Sequence, residues 1–286
     1  MKVLDLFSGI GGFSLGLERG GMKTVAFCEF DKHAQLILKK HWPNVPVFED
    51  VRELDGKQFR GSADVVCGGF PCQDLSVAGK KAGFEGERSS LYREMLRIIG
   101  ECLPRYAIFE NVTGFITGEQ GRWLAQFLYD LAEVGYDAEW HCISASELGA
   151  NHHRDRIWII AYPNDDGQLA PKIGQGISEG NDSDQEGQKP TSKSKGLFGE
   201  GILANANGKR CERFAKIAHH LKQQVEFVRS DTAERGRFDL SQPPLLGAND
   251  GISRRLDRIR RLGNAVVPQI PEAIGRAIIN YERSKQ

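Results

Sequence analysis

The sequence predicts an α/β protein built on a doubly wound, mostly parallel sheet of the Rossmann type. The main observation is that short apolar segments alternate with segments of helical periodicity along residues 1–162. Polar or glycine-rich turns follow several of the predicted strands, as they do at the carboxyl edge of such sheets, where ligands bind. A regular pattern also returns at residues 262–283, after a long irregular segment.

Each element is predicted from its own pattern of residues. Short apolar runs bounded by turn residues predict strands, and apolar residues at helical spacing predict helices. The predicted strands are residues 2–7, 24–27, 46–48, 63–67, 106–109 and 157–161. The predicted helices are residues 13–20, 31–41, 89–101, 120–134 and 271–281, the last of which opens with a proline.

The composition of the chain changes after residue 162. Residues 163–208 are rich in small and polar residues and show weak apolar periodicity, whereas residues 209–250 have some helical character. We therefore expect a main domain at residues 1–162 and a smaller, irregular domain at residues 163–250. Residues 251–286 are expected to return to the main domain.

The overall composition is that of an ordinary globular chain. It has 38 basic and 38 acidic side chains, so its net charge gives no support for nucleic-acid binding. No apolar run approaches the ~18 residues of a membrane span, and the N-terminus is unlike a signal peptide, so we expect a cytoplasmic protein. The six cysteines include no Cys-x-x-Cys pair, which argues against zinc and against a redox dithiol.

One local segment is strongly basic. Residues 251–261 hold five Arg and one Asp. Such a segment is either a solvated helix face or a set of phosphate contacts. If it contacts phosphate, the candidate residues are Arg254, Arg255 and Arg258.

A glycine turn joins the first strand to the first helix in the stretch Asp5-Leu-Phe-Ser-Gly-Ile-Gly-Gly12. Glycines allow positive φ and a close approach of the backbone to a ligand. Glu29, at the end of the second strand, is placed to accept hydrogen bonds from ribose hydroxyls. The spacing Gly-x-Gly-Gly differs from the dinucleotide pattern. A structural turn, a dinucleotide and S-adenosylmethionine all remain open from these residues alone.

Asp50 follows the third predicted strand. A carboxylate at this place could accept a hydrogen bond from an adenine amino group. A loop or helix N-cap residue is an equal alternative.

The stretch Val65-Val-Cys-Gly-Gly-Phe-Pro-Cys72-Gln follows a buried strand with a stiff turn. A cysteine held there faces the ligand edge of the sheet, and its thiolate could act as a nucleophile. The alternative is a buried structural thiol, as expected for Cys67. The glycine-rich residues 79–90 could close over a substrate or form an ordinary surface loop.

Three more charged residues fall near the same edge. Glu110 follows the fifth predicted strand and could serve as an acid beside a nucleophilic Cys72, although capping or salt-bridged glutamates are common. Arg154 and Arg156 share one face if the chain there is extended. The pair His152-His153 has no evident third ligand, so no metal site is predicted.

These motifs together resemble those of the DNA cytosine-5 methyltransferase family over residues 1–162 and 254–283. Gly69-Phe-Pro-Cys72-Gln is similar to the family's nucleophile motif, and Glu110-Asn-Val to its acid motif. Leu262-Gly-Asn264-Ala-Val-Val-Pro looks like the last motif, which in the family folds back beside the first. Two departures are visible: His152 stands where the family usually has Gln, and the motif with an Arg-x-Leu-Thr core is not recognisable.

The resemblance implies a role for each matching residue. The implied catalytic residues are Cys72, Glu110, Arg154 and Arg156. The implied cofactor contacts are Phe7, Ser8, Gly9, Gly11, Gly12, Glu29, Phe30, Asp50, Val51, Pro71, Leu91 and Asn264. The implied substrate contacts are Gln73, Ser76, Asn111, Arg254, Arg255 and Arg258.

The resemblance further implies a class I methyltransferase fold that uses S-adenosylmethionine and acts as a monomer. A cytosine flipped out of double-stranded DNA is the implied substrate. The irregular domain at 163–250 then corresponds to the target-recognition domain. Alternatives are an RNA cytosine-5 methyltransferase of the same fold, a nicotinamide-dependent dehydrogenase, and a DNA-binding protein without catalysis. The glycine spacing and Pro71-Cys72-Gln73 argue against the dehydrogenase.

Overall fold

The computed structural model describes residues 1–71, 91–150, 152–164, 201–202, 223 and 265–285. Eight strands form a single sheet in the order β3-β2-β1-β4-β5-β7-β6-β8. The strands are β1 (Lys2–Leu6), β2 (Lys23–Cys28), β3 (Val47–Phe48), β4 (Val65–Gly68), β5 (Tyr106–Val112), β6 (Tyr136–Ser144), β7 (Asp155–Pro163) and β8 (Gly201–Ile202). Strands β1 to β5 run parallel to one another, whereas β7 is antiparallel to β5 and β6, and β8 is antiparallel to β6.

Helices cover both faces of this sheet, so the predicted doubly wound α/β fold is confirmed. The α-helices are α1 (Gly12–Arg19), α2 (Lys32–His41), α3 (Leu91–Cys102), α4 (Gly114–Thr117), α5 (Arg122–Glu133) and α6 (Gln269–Arg283). Short 3-10 turns lie at Gly56–Phe59, Gly118–Gly121 and Ala145–Leu148. No helix in the described ranges is long and apolar enough to span a membrane.

The sheet has an apolar core on each face. On one face of the sheet, Phe127 of α5 packs with Tyr92 of α3, with Phe109 of β5 and with Phe70, which lies just after β4. On the other face, α1 and α6 pack against β1, β4, β5 and β7. Apolar residues thus lie on both sides of the central strands, as a parallel sheet covered by helices requires.

Helix α6 docks against α1 at very short range. A Cβ added at Gly12 would clash with the Val266 carbonyl, and one added at Gly16 would clash with the Pro268 carbonyl. Glycines spaced by four residues therefore let the two backbones touch. The described C-terminal residues 265–285 thus lie against the first helix.

Several element boundaries differ from the predictions. Strand β6 was not predicted, although Tyr136-Asp-Ala-Glu-Trp-His-Cys142 alternates apolar and polar residues, and Glu139 and His141 at its polar positions are buried. Strand β5 extends to Val112, so Glu110 lies within the strand rather than after it. The two residues of β8 pair with β6, although they fall in the range expected to form a second domain.

Candidate active site

The turn after β1 is shaped by three residues with positive φ. Phe7 has φ 52°, Gly9 has φ 55° and Gly11 has φ 86°. Only glycine adopts this region without strain, so Phe7 is held there by its surroundings. The turn is closed by a hydrogen bond from Gly11 N to the Ser8 carbonyl at 2.9 Å. Phe7, Ser8 and Gly9 of this turn line one wall of a cavity.

Glu29 ties this turn to helix α2. Its Oε2 accepts from Gly9 N at 2.7 Å, and its Oε1 accepts from Asp31 N at 2.7 Å. Burial raises the pKa of Glu29, and the two backbone N–H groups act against that rise. A carboxylate has about four acceptor sites, so Glu29 keeps acceptor capacity for a ligand's hydroxyl groups.

A second carboxylate lies under the turn, fully buried. Asp5 accepts from Ser14 Oγ at 2.7 Å, which fastens β1 to the first turn of α1. Burial raises the pKa of Asp5 to about 7, while hydrogen bonds from Ser14 and the Cys67 thiol act in the opposite direction. Asp5 therefore stabilises the glycine turn by joining the strand before it to the helix after it.

Asp50 lies at the far end of the same wall, just after β3. Arg52 donates hydrogen bonds to both carboxylate oxygens of Asp50, from Nε to Oδ1 at 3.0 Å and from Nη2 to Oδ2 at 2.5 Å. The hydrogen bond from the Arg52 side chain is the main cause that lowers the pKa of Asp50. Asp50 is thus an ionised acceptor on the cavity wall.

Glu110 faces the cavity from the middle of β5. Arg156 Nε lies 2.9 Å from Glu110 Oε1, and the two side chains are 22% and 12% exposed. Burial raises the pKa of Glu110, and the charges of Arg156 and Arg154 act against that rise. The antiparallel register places Val112 opposite Arg156, so Glu110 and Arg156 are diagonal neighbours on one face.

The chain after β4 passes directly beside Glu110. A Cβ added at Gly69 would lie 2.8 Å from Glu110 Oε2, so only glycine leaves room for the carboxylate. Asn111 Nδ2 donates to the Phe70 carbonyl at 3.3 Å, and Asn111 Oδ1 accepts from Val112 N. Pro71 then lines the cavity. The loop that leads to Cys72 is therefore anchored on β5 up to Pro71.

Most of these residues line one cavity of about 710 Å³. This volume suits a small molecule the size of a nucleoside derivative. The predicted residues that line it are Phe7, Ser8, Gly9, Gly12, Glu29, Phe30, Asp50, Val51, Pro71, Leu91, Glu110, Asn111, Arg154 and Arg156. Gly11 is absent from this wall, because it packs against the ring of Trp42.

Seven predicted site residues lie outside the described residues. They are Cys72, Gln73, Ser76, Arg254, Arg255, Arg258 and Asn264. The two residues after Asn264, Ala265 and Val266, do line the cavity beside the glycine turn. No group of three or more His, Cys, Asp or Glu in the described part of the chain could hold a metal ion.

Some cavity residues were missed by the sequence analysis. The most important of them is Arg52. The feature that could have indicated it is its position two residues after Asp50, a candidate ligand-binding carboxylate. Glu49 and Asp31 also line the cavity, next to residues that were predicted. Phe13, Cys28 and Phe70 are apolar wall residues, and nothing in the sequence separates them from ordinary core residues.

Fold and site together define a Rossmann-like α/β protein of the class I methyltransferase type. The model of the family "C-5 cytosine-specific DNA methylase" matches residues 1–234, and the chain belongs to that family. The resemblance noted in the sequence is therefore confirmed.

The curated relatives match a little over half of the chain. The type II methyltransferase M.Eco47II of Escherichia coli is 40% identical over 165 residues, which cover 57% of this chain and 40% of the relative. The type II methyltransferase M.HhaI of Haemophilus parahaemolyticus is 33% identical over 165 residues, covering 58% of this chain and 50% of the relative. The matched segment thus spans half or less of the length of these relatives.

One solved structure aligns along almost the whole chain. It is a prophage-encoded protein of E. coli described as a DNA modification methyltransferase, with 19% identity and a TM-score of 0.57 over 99% of both chains. At this identity the likeness shows a shared fold.

Proposed function

We propose that the protein transfers a methyl group from S-adenosylmethionine to carbon-5 of a cytosine in duplex DNA. The observation that carries this proposal is the shared cavity. The acid and guanidinium pair Glu110–Arg156 opens into the same space as the Glu29 and Asp50 carboxylates. One end of the cavity thus offers acceptors for a nucleoside, and the other offers charged groups for a second reactant.

The residues present fit S-adenosylmethionine. Glu29 has spare acceptor sites for the ribose hydroxyls, and Asp50 is an acceptor at the adenine end. Phe7, Phe30 and Val51 supply apolar surface around an adenine ring, and Leu91 and Pro71 extend it. We assign Asn264 to the same pocket, because Ala265 and Val266 next to it line the cavity. When bound, the cofactor supplies an electrophilic methyl group for the activated cytosine.

The protein's own groups activate the cytosine. The thiolate of Cys72 adds to carbon-6, and this addition makes carbon-5 nucleophilic. Glu110 donates a hydrogen bond or a proton to the ring nitrogen N3, and its raised pKa favours the protonated form that this role needs. Arg154 and Arg156 hold the base and the developing negative charge. After methylation, water removes the carbon-5 proton and Cys72 leaves, which restores the ring double bond.

The remaining predictions complete the proposal. Residues 1–162 carry the chemistry and residues 251–286 complete the cofactor pocket, consistent with the docking of α6 on α1. Residues 163–250 read the target sequence, with Arg254, Arg255 and Arg258 on DNA phosphates and Gln73, Ser76 and Asn111 near the flipped base. We propose that one copy of the chain is sufficient.

The test is transfer of tritium-labelled methyl groups to unmethylated plasmid DNA and, in parallel, to bulk transfer RNA. Labelled nucleic acid is digested to nucleosides and separated by chromatography. The proposal expects label in 5-methyl-2′-deoxycytidine. This signal should be lost with Glu110→Gln and kept with Glu133→Gln, an exposed glutamate on α5. Label on RNA alone would mean that RNA, not DNA, is the substrate. Label on neither would contradict methyl transfer and favour a DNA-binding protein without catalysis.

A further inference from the structure

The segment that follows β3 holds an arginine and a carboxylate in close contact. Arg52 and Asp50 meet through three separate donors. The backbone N–H of Arg52 donates to Oδ1 at 2.9 Å, Nε reaches both oxygens at 3.0 and 3.1 Å, and Nη2 donates to Oδ2 at 2.5 Å. A two-point fork of this kind fixes the plane of a carboxylate as well as its position.

The backbone under this pair is also fixed. Arg97 on α3 donates from Nη2 to the Val51 carbonyl at 2.9 Å and from Nη1 to the Leu54 carbonyl at 3.1 Å. Arg97 is itself held by Glu94 and Glu101. Val51, between the two residues of the pair, is 5% exposed. The Asp50 side chain therefore projects from a fixed backbone, and Arg52 determines how it is turned.

The fork leaves little freedom for a ligand. Of about four acceptor sites on the carboxylate, the Arg52 donors occupy most. The ionised carboxylate only accepts, because the hydrogen bond from Arg52 holds its pKa below the ordinary value. Both residues line the cavity, and the Asp50 side chain is 14% exposed. A ligand thus meets a mostly buried acceptor in one set orientation.

We propose that Arg52 is the positioning residue that makes the pocket selective for a 6-amino purine. This inference rests on the proposed function, in which Asp50 faces the adenine edge. A fixed carboxylate accepts from the exocyclic amino group of adenine. In hypoxanthine an oxygen replaces this amino group, and the nearest donor is at ring N1. The Asp50 carboxylate and the hypoxanthine oxygen are then two acceptors that face each other. A carboxylate released from Arg52 can turn toward N1 and accept both purines.

The test compares binding of S-adenosylhomocysteine and S-inosylhomocysteine to the full chain by titration calorimetry. We expect the wild type to prefer the adenine ligand by about 100-fold, as a charge-assisted hydrogen bond allows. Arg52→Met should reduce this ratio to about tenfold or less. Arg52→Lys keeps the charge without the fork and should also lower the ratio, so the test survives if the Met variant does not fold. Arg122→Met, an arginine on α5 that is 84% exposed, should keep the wild-type ratio.

A double mutant separates a direct from an indirect role. If Arg52 acts by orienting Asp50, then Asp50→Asn lowers the ratio and adding Arg52→Met changes it no further. If Asp50→Asn lowers the ratio but both Arg52 variants retain it, the role of Arg52 is refuted and the proposed function stands. If the wild type binds neither ligand, or Asp50→Asn leaves both affinities unchanged, the proposed cofactor pocket itself is refuted.

Discussion

Replacing Gly16 by alanine tests whether backbone contact between α1 and α6 holds the C-terminal segment in place. A Cβ at this position would lie 2.6 Å from Pro271 Cγ and 3.0 Å from Glu272 N, and even closer to the Pro268 carbonyl oxygen. Two of these three atoms belong to the backbone and cannot rotate away. The two helices must separate, and overpacking of this kind costs up to about 3 kcal/mol. Alanine returns about 1 kcal/mol through its higher helix propensity.

The net loss is therefore about 2 kcal/mol, which lowers the melting temperature by about 3–4 °C for a chain of this size. Thermal unfolding followed by circular dichroism measures the shift. The matched control is Gly114→Ala at the start of α4, because an added Cβ there meets nothing within 4 Å. The Gly16 variant should also bind S-adenosylhomocysteine more weakly, since Val266 lines the cavity. A Gly16→Ala protein as stable as the Gly114→Ala protein would refute the close docking.

Three further substitutions test the buried carboxylates. The pKa of Asp5 is raised to about 7, so its stabilising contribution is complete below its ordinary pKa of 3.8 and is lost as the pH rises to 7. The free energy of unfolding of the wild type, measured with urea, should fall by about 3 kcal/mol between pH 5 and pH 8 because of Asp5. Asp5→Asn should remove this pH dependence, and parallel pH profiles of the two proteins would contradict the prediction. Glu29→Gln should weaken S-adenosylhomocysteine binding about tenfold, because an amide nitrogen cannot accept from Gly9 or Asp31, and equal affinity by calorimetry would argue against the ribose role. Glu110→Gln should slow methyl transfer by about 10²–10⁴ with unchanged cofactor binding, and an unchanged rate would remove Glu110 from the mechanism.

The sequence predicted the central strands well because their patterns are local. Val65 and Val66 lie in a continuous apolar run before Gly68-Gly69, and a strand buried on both faces reads this way in any parallel sheet. The glycine turn was equally visible, since Gly9 and Gly11 adopt the positive φ that glycine permits.

Features that depend on distant contacts could not be predicted in the same way. Glu139 and His141 look like surface residues in the sequence, yet they are buried in β6. The hydrogen bonds from Arg52 to Asp50 depend on the course of the backbone between them. Arg97 of α3, which is 46 residues from Val51 in the sequence, fixes that course by donating to the Val51 carbonyl. Gly69 could be recognised as a turn residue, but its role in leaving room for Glu110 required the position of β5.

The most direct test of the proposed reaction is capture of the covalent intermediate on DNA. Duplex DNA that contains 5-fluorocytosine is incubated with the protein and S-adenosylmethionine, and the products are separated under denaturing conditions. Fluorine at carbon-5 cannot be removed as a proton is, so the bond to the nucleophile persists after methylation. The proposed mechanism predicts a stable protein–DNA adduct that forms in the wild type and in Cys142→Ala but not in Cys72→Ala. An adduct that persists in Cys72→Ala, or methylation of ordinary DNA without any adduct, would contradict it.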